Sequence, residues 1–214
     1  MTPPTESPKG APRRRRNPRG QGVQLRDDLI EAAGALMAET GDPAAATIRA
    51  VARRAGVTAP SVYLHFDDRE ALVEAVLTRR FDDLAAAVRS AIDGLPASAS
   101  PVEVVRAGCR GYVGWGLAHP GHYRALFGVT ESVTREAGEA GGRALGLLVE
   151  GIADCQRAGA ARSGDPFHLA CLAWTAMHGM VVLRLLSPNF PWQPIDTMLD
   201  DALDGLLGLP AATA

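Results

Sequence analysis

The stretch that decides the fold is TIRAVARRAGVTAPSVYLHF, residues 47–66. Its first half spaces apolar residues at helical intervals, and Thr47 stands where an N-cap would begin that helix. Gly56 follows, and glycine tolerates the left-handed conformation that a sharp turn requires. Thr58 is a second candidate N-cap, and Pro60 falls in the first turn of the next helix, where its missing N–H costs no hydrogen bond. The stretch therefore predicts two short helices joined by a tight turn.

The second of these helices is expected to be about two turns long, and a helix of that length is not stable alone. It must pack on its neighbours, with Phe66 in a small core, and present Ser61, Tyr63 and His65 outward. For Tyr63 the alternative is a buried aromatic of the same core. Two short helices across a tight turn, the second with outward polar side chains, are the layout of a DNA-binding helix-turn-helix.

Residues 24–90 resemble the DNA-binding domain of the TetR family of bacterial transcriptional repressors. Arg69 stands where the family usually has lysine and keeps the positive charge, whereas Pro60 stands where a small residue is common. The residues that carry the resemblance are residues 52–56 before the turn, Val57, Thr58, Tyr63, His65, Phe66 and residues 68–72.

The resemblance implies contacts with a double-stranded DNA operator. Tyr63, His65 and Arg69 would donate hydrogen bonds to phosphates, as would hydroxyl and N–H groups at helix N-termini. Ala59 and Ser61 would approach base edges, and Arg49 lies on the exposed side of the first of the two short helices. The predicted DNA-contacting residues of this region are Thr47, Arg49, Thr58, Ala59, Ser61, Tyr63, His65 and Arg69.

The N-terminal end of the chain is basic. The formal net charge is −2, yet residues 1–66 hold ten Lys or Arg against six Asp or Glu. A basic end suits a protein that offers this end to phosphates, and random surface scatter is the alternative. Residues 1–22 are proline-rich and are expected to form a disordered arm. The run Arg13, Arg14, Arg15 and Arg16 would follow the DNA backbone or enter the minor groove, or else would serve as a solubilising tail.

Composition predicts an all-α protein. Of the 214 residues, 47% are hydrophobic, Ala and Leu dominate, and long alternating β-branched runs are lacking. We expect about nine helices, arranged as an N-terminal three-helix domain and a larger helical ligand-binding and dimerisation domain. The predicted divisions are a basic arm at 1–22, the helix-turn-helix domain at 23–68, a connecting helix at 69–93 and the C-terminal domain at 101–209.

The sequence also indicates a cytoplasmic protein. Cys109, Cys155 and Cys171 are spread singly, as free thiols of a reducing compartment would be. No apolar run approaches the roughly 18 to 20 residues that span a bilayer. No hydrophobic stretch follows the basic N-terminus, so the arginine run does not begin a secretory signal.

The predicted helices of the C-terminal domain carry more apolar surface than one chain can bury. Residues 131–158 form a glycine-interrupted helix, and the final helices at 166–186 and 194–207 have apolar residues on more than one side. In the TetR family such helices pair with their copies in a second subunit. A homodimer through the last two helices would present two reading heads to a palindrome.

A candidate ligand pocket centres on AWTAMHGM, residues 173–180, where Trp174 and His178 share one face of a helix. With Gly179 they resemble the Trp-His-Gly motif of one subgroup of TetR ligand-binding domains. The alternative is plain core packing for both side chains. The predicted pocket residues are Tyr112, Trp115, Phe127, Trp174, Met177 and His178.

No enzyme or cofactor site is predicted. His119 and His122 lie in a turn without a second paired set of metal ligands, and no catalytic triad order, P-loop or dinucleotide glycine pattern stands out. The resemblance to the TetR family implies a repressor released from a palindromic operator by a small, mostly apolar effector of unknown identity. The alternatives are a ligand-independent dimeric DNA-binding protein and a helical-bundle enzyme with a basic head.

Overall fold

The structure, a computed structural model, describes residues 21–128 and 135–210. This part of the chain contains nine α-helices, one short 3-10 turn and no β-strand, which confirms the predicted all-α class. The arginine run at 13–16 lies outside the described residues. The helices are α1 (Gln21–Thr40), α2 (Ile48–Arg54), α3 (Ala59–Val62), α4 (Arg69–Asp93), α5 (Pro101–Ala118), α6 (Pro120–Phe127), α7 (Arg135–Arg157), α8 (Pro166–Leu186) and α9 (Ile195–Leu207).

The first three helices form a small head with its own buried centre. Gly41 ends α1 with a φ of +71°, a conformation that glycine adopts without steric cost. Leu29 of α1, Val51 of α2 and Val62 of α3 are each fully buried, and Phe66 closes the core below them. These three helices and the residues up to Phe66 share one core, and we call residues 21–66 the head hereafter.

Helix α4 links the head to the rest of the chain. Asp68 caps its N-terminus by accepting a hydrogen bond from the backbone N–H of Ala71 at 2.8 Å. Buried residues recur along its whole length, from Leu72 near the head to Val88 near its end. One continuous helix therefore contributes to the cores of both parts of the molecule.

In the body, residues 101–210, α5 and α7 pack against α4, α8 packs against α5 and α7, and α9 packs against α5 and α8. A capping box between Ser100 and Glu103 begins α5. On the same helix the buried side chain of Arg106 donates to Asp200 at 2.8 Å, to Asp204, and to the backbone oxygen of Pro210 at 2.8 Å. These ion pairs fix α9 against α5.

The head and the body also meet at α6. A β-carbon at Gly121 of α6 would overlap the carbonyl oxygen of Ala38 in α1 and would lie 2.9 Å from its Cα. A β-carbon at Gly41 would lie 3.1 Å from Cβ of Arg124. The end of α1 therefore rests directly on α6, with no side chain between the two backbones.

One expectation about the helices needs correction, and part of another is not tested. Helix α3 has four residues instead of about two turns. After Val62 the backbone forms a turn, in which the N–H of His65 donates to the carbonyl oxygen of Val62 three residues earlier. Helix α7 begins at Arg135, and the first part of the predicted helix, residues 131–134, lies outside the described residues.

The expectation that no apolar run could span a membrane is also corrected. Within the described residues, α8 is long and apolar enough, by length and composition alone, to cross a membrane. Its most apolar 18-residue segment has a mean hydropathy of 1.6, and 28% of that segment is buried. A helix that is apolar on all sides but mostly uncovered in one chain leaves a large apolar surface to be explained.

Candidate DNA-binding surface and ligand cavity

The turn between α2 and α3 is built by local hydrogen bonds. The side-chain oxygen of Thr47 accepts from the backbone N–H of Ala50 at 3.2 Å and so begins α2 as predicted. Gly56 adopts a φ of +68° at the turn. Thr58 occupies the N-cap position of α3, but its hydroxyl pairs with the hydroxyl of Ser61 at 2.9 Å instead of capping. The helix-turn-helix geometry is therefore present.

The residues that follow α3 face outward. The side chain of Tyr63 is 56% exposed, so the alternative of a buried aromatic is wrong. Phe66 is buried as predicted, with the guanidinium of Arg26 lying 5.0 Å above its ring. Leu64, which the sequence reasoning passed over, is 74% exposed. An apolar side chain held in solvent beside Tyr63 belongs to the same outward surface.

The other predicted DNA-contacting residues of the head differ in exposure. Thr47, Arg49 and Thr58 are exposed. Ala59, Ser61, His65 and Arg69 are half-buried.

Arg69 has a structural partner inside the head. Its guanidinium donates to the backbone oxygen of Pro43 at 2.6 Å and lies 3.4 Å from the carboxylate of Glu70. The side chain thus ties the start of α4 to the loop after α1. Its role as a phosphate contact stays a prediction.

The body contains an apolar cavity of about 350 Å³ between α4, α5, α6, α7 and α8. Four of the six predicted pocket residues line it: Tyr112, Phe127, Trp174 and Met177. Trp115 and His178 are not among the residues that line this cavity, and their role in a ligand site stays a prediction. Trp115 is buried further along α5, where its ring stacks on His119 with centroids 5.1 Å apart.

His178 lies one step behind the cavity, at the end of a hydrogen-bonded chain. The indole N–H of Trp174 donates to the hydroxyl of Tyr112 at 3.0 Å. The hydroxyls of Tyr112 and Tyr123 are 2.8 Å apart, and the hydroxyl of Tyr123 lies 2.8 Å from Nδ1 of His178. If each hydroxyl donates towards His178, every proton of the chain has an acceptor. We call these four residues the aromatic chain.

The ionisation of the aromatic chain agrees with this direction. Burial lowers the pKa of His178 below its ordinary value, which favours the neutral ring that can accept at Nδ1. Burial also raises the pKa of Tyr112 and of Tyr123, so both phenols keep their protons. The four side chains of the aromatic chain are therefore uncharged, and their hydrogen bonds link α5, α6 and α8.

The sequence reasoning missed two parts of the cavity. Phe81 of α4 lines one side, and its ring meets Phe127 edge to face with centroids 5.7 Å apart. Helix α7 contributes glycines as well as leucines to the wall, and a β-carbon at Gly142 would meet nothing within 4 Å. The cluster of glycines that interrupts the predicted helix is the signal in the sequence that could have indicated open space beside it.

The described residues contain no group of three or more His, Cys, Asp or Glu side chains placed to hold a metal ion. The rings of His119 and His122 lie with centroids 6.3 Å apart, and that of His119 is engaged by Trp115.

A head with an outward-facing helix-turn-helix, joined by one long helix to a helical body, defines the class of DNA-binding transcriptional regulators. Residues 29–76 match the family model described as bacterial regulatory proteins, tetR family. Residues 105–207 match the model described as the tetracyclin repressor-like C-terminal domain. The chain therefore belongs to the TetR family of bacterial regulatory proteins.

Individual relatives agree with this assignment. The HTH-type transcriptional repressor KstR2 of Mycobacterium tuberculosis (strain CDC 1551 / Oshkosh) is 37% identical over 84 residues, which are 39% of this chain and 40% of that protein. The chain thus spans less than half the length of the curated relatives it matches. Both the family and these relatives are transcriptional regulators, which confirms the prediction of a regulator and not an enzyme.

Solved structures extend the likeness to most of the chain. A protein of unknown function from Rhodococcus sp. RHA1 is 27% identical, covers 85% of this chain and 93% of its own, and superposes with a TM-score of 0.73. A TetR family transcription regulator from Marinobacter aquaeolei VT8 is 20% identical, covers 88% of this chain and 98% of its own, and has a TM-score of 0.70. The second likeness shows the fold alone.

Proposed function

We propose that this protein is a transcriptional repressor that binds a palindromic operator as a homodimer and is released by a small, mostly apolar ligand. The observation that carries the proposal is the direct contact between α6 and α1. Helix α6 supplies Phe127 to the cavity and Tyr123 to the aromatic chain, while Gly121 of the same helix abuts Ala38 of the head. One short helix therefore touches both the ligand cavity and the DNA-binding unit.

The operator would be held by the outward surface of the head. Tyr63 and His65 would donate to phosphates, and the hydroxyls and N–H groups at the starts of α2 and α3 would add to this. Ala59 and Ser61 would meet base edges. Arg49 would supply backbone charge, and the arginine run at 13–16 would follow the adjoining groove. Because the proposed operator is bacterial DNA, the protein would act in the cytoplasm.

The homodimer would form through α8 and α9. Three large apolar side chains of α8 are at least half exposed in a single chain: Phe167, Leu183 and Leu186. Leu169 of the same helix is buried. A β-carbon at Gly179 would meet nothing within 4 Å, which leaves room for the close approach of a second helix. A partner on this face would cover the apolar surface that one chain leaves open.

Ligand entry would act on the spacing of the two heads. A molecule in the cavity would contact Phe127 and displace α6, and the backbone contact at Gly121 would carry that displacement to α1. Since the duplex fixes the separation of two half-sites, a changed separation of the heads lowers operator affinity. In this scheme Trp174, His178 and Gly179 act as the Trp-His-Gly element of the C-terminal domain.

The test is fluorescence anisotropy on a duplex from upstream of the gene, over a salt series, with a scrambled duplex of equal length. Arg49→Ala should weaken binding and reduce the dependence of log K on log salt by about one unit, because one phosphate contact is lost. The matched control is Arg157→Ala, an exposed arginine on α7 of the body, which should leave both values unchanged. Equal weak binding to both duplexes would refute the proposal.

A further inference from the structure

A second pocket lies between α1 of the head and the first half of α4. This pocket, which we call the head groove, has a volume of about 410 Å³ and is lined mainly by polar side chains. Its carboxylates come from Asp67, Glu74 and Asp82. His65, a predicted phosphate contact, lines the same groove. The head groove therefore adjoins the surface that would hold the operator.

Two carboxylates of the head groove have no basic partner. Within residues 21–128 and 135–210, neither Asp67 nor Glu74 forms an ion pair. Arg79 of the same groove is already paired with Asp27 at 2.9 Å, and the guanidinium of Arg26 lies 5.0 Å above an aromatic ring. The groove thus keeps negative charge for a cation that the described residues do not supply.

A hydroxyl group in the head groove also lacks a partner. Oγ1 of Thr78 is buried and has no hydrogen-bond partner among the described residues. Glu74, Thr78 and Asp82 follow one another at intervals of four residues, so this hydroxyl lies between two carboxylates in one row along α4. An unpaired buried hydroxyl is costly, and a guanidinium group has enough N–H donors to bond to a hydroxyl and to a carboxylate at once. The row therefore suits an arginine side chain.

The N-terminal segment of this chain matches the head groove in charge and in reach. Residues 1–20 hold six Lys or Arg against one Glu, whereas residues 67–74 hold four Asp or Glu against one Arg. The segment joins α1 at Gln21, and Arg26 of the groove follows about 7.5 Å further along the helix axis. The chain from Arg16 to Gln21 spans at most about 18 Å. The arginine run at 13–16 can therefore reach the groove.

We propose that, without DNA, the arginine run at 13–16 binds in the head groove, with the carboxylates of Asp67 and Glu74 as its partners. The inference rests on the proposed function only for a second step, in which operator phosphates take the run out of the groove. Each exposed ion pair is weak, but the short tether gives the run a high local concentration. The groove thereby masks the charge of the run until the head meets DNA, which lowers binding to unrelated sequences.

A cross-link from the chain's own lysine tests the contact. Lys9 is the single lysine of the sequence and stands just before the run. A water-soluble carbodiimide joins an amine to a carboxylate without a spacer, so only groups in contact react. Mass spectrometry of the full chain without DNA should find Lys9 joined mainly to Asp67, Glu74 or Asp82. Salt at about 0.5 M, or an excess of duplex DNA, should reduce these products about tenfold.

A charge-preserving variant moves the reporter into the run itself. Lys9→Arg with Arg15→Lys keeps the charge of the segment, and its cross-links should concentrate on Asp67 and Glu74. A mixture of isotope-labelled and unlabelled chains shows whether both ends of a cross-link belong to one chain. The proposal requires that they do.

Neutral variants show whether the two carboxylates hold the run. In Asp67→Asn with Glu74→Gln, the remaining product between Lys9 and Asp82 should fall at least about threefold. The control is Glu150→Gln with Asp201→Asn, which removes the same charge at exposed positions of the body and should leave that product unchanged.

Anisotropy on a scrambled duplex separates masking from simple repulsion of DNA by the acids. Neutralising Asp67 and Glu74 should raise affinity about threefold, because the run no longer has to leave the groove. The gain should vanish in a chain whose arginines 13–16 are all replaced by glutamine. Simple repulsion would give the same gain in both chains.

Several outcomes overturn the inference: cross-links spread evenly over exposed carboxylates, cross-links between two chains, an unchanged product at Asp82 in the neutral variant, or equal gains in both anisotropy series. Selective operator binding is measured in parallel. If it fails while Lys9 joins the groove carboxylates, the proposed function is wrong and the docking stands. If it succeeds while Lys9 finds no groove carboxylate, only the docking is wrong.

Discussion

The head and the body place their polar groups in opposite ways. Around the turn of the head, Tyr63 and Arg49 are exposed, and each is free to be replaced without disturbing another. In the body, Arg106 and Tyr123 are buried, and each is bonded to more than one partner. The comparison teaches that exposed side chains can contact a charged polymer without hydrogen bonds to one another, because water solvates them. Polar groups inside a core, by contrast, must form hydrogen bonds with one another.

The sharpest way to break this comparison is to remove one arginine from each part. Arg106→Met leaves Asp204 without its partner at the α5–α9 contact and should lower the free energy of unfolding by about 3 kcal/mol. Arg54→Met removes an exposed pair with Glu39 in the head and should cost less than about 1 kcal/mol. Urea denaturation followed by circular dichroism measures both, and equal losses would contradict the contrast.

The contact between the two parts can be tested with two glycines. Gly121→Ala places a β-carbon on the backbone of Ala38 and should cost about 1–3 kcal/mol, because neither backbone can yield locally. The control is Gly114→Ala on α5, where a β-carbon meets nothing within 4 Å and the helix gains up to about 1 kcal/mol. Urea denaturation measures both variants. A Gly121→Ala protein as stable as the control would show that α6 and α1 are loosely joined.

Removing the hydroxyl of Tyr123 should affect stability, whereas removing the hydroxyl of Tyr63 should affect operator binding. Tyr123→Phe removes the acceptor of the Tyr112 hydroxyl proton and the hydroxyl bonded to Nδ1 of His178, and it should lower stability by about 1–2 kcal/mol. Tyr63→Phe should change stability by less than about 0.5 kcal/mol but weaken operator binding by roughly tenfold. Denaturation and anisotropy on the same two proteins give the four values. Loss of stability in Tyr63→Phe would mean that the head is not built as described.

The smallest expected effect is a dependence of stability on pH that arises in the body. Burial holds the pKa of His178 below its ordinary value of about 6.5, so below that pH the unfolded chain binds the proton more readily. Stability should therefore fall as the pH is lowered from about 7 towards the folded-state pKa. Burial lowers the pKa of His122 in the same direction.

His178→Asn isolates the contribution of one histidine, because an amide keeps a polar atom near the position of Nδ1 but does not titrate. Thermal unfolding measured from about pH 7 to about pH 5 should show a shallower decline than in the unaltered protein. His168→Asn, at an exposed position on the same helix, is the control. An identical decline in both variants would exclude His178 as a source of the dependence.

The head could be predicted from sequence because its signals are local. Thr47 caps the helix that follows it, Gly56 makes the turn at its own position, and Asp68 begins the helix next to it. Each of these residues acts within four positions of itself, so spacing alone is sufficient. Even so, α3 came out shorter than expected, since the length of so short a helix depends on packing.

The cavity could be predicted only in part because it depends on which neighbour each face meets. Tyr112 and Trp115 lie three positions apart on α5, yet only Tyr112 reaches the cavity. Trp174 and His178 share a face of α8, but the second meets Tyr123 before it meets the cavity. Helical periodicity assigns a residue to a face and does not say which of two packed helices covers it.

The unfilled space beside α7 has a consequence for the lifetime of the protein. Without a ligand, the side chains around the cavity lack partners on one side, and the body is less resistant to local opening and to proteases. An occupant at a hundred times its dissociation constant would add about 2.7 kcal/mol of stability. Under the proposed function, the cellular abundance of this protein would rise with the same molecule that would release it from DNA. Each release would then leave more copies to restore repression once the molecule is consumed.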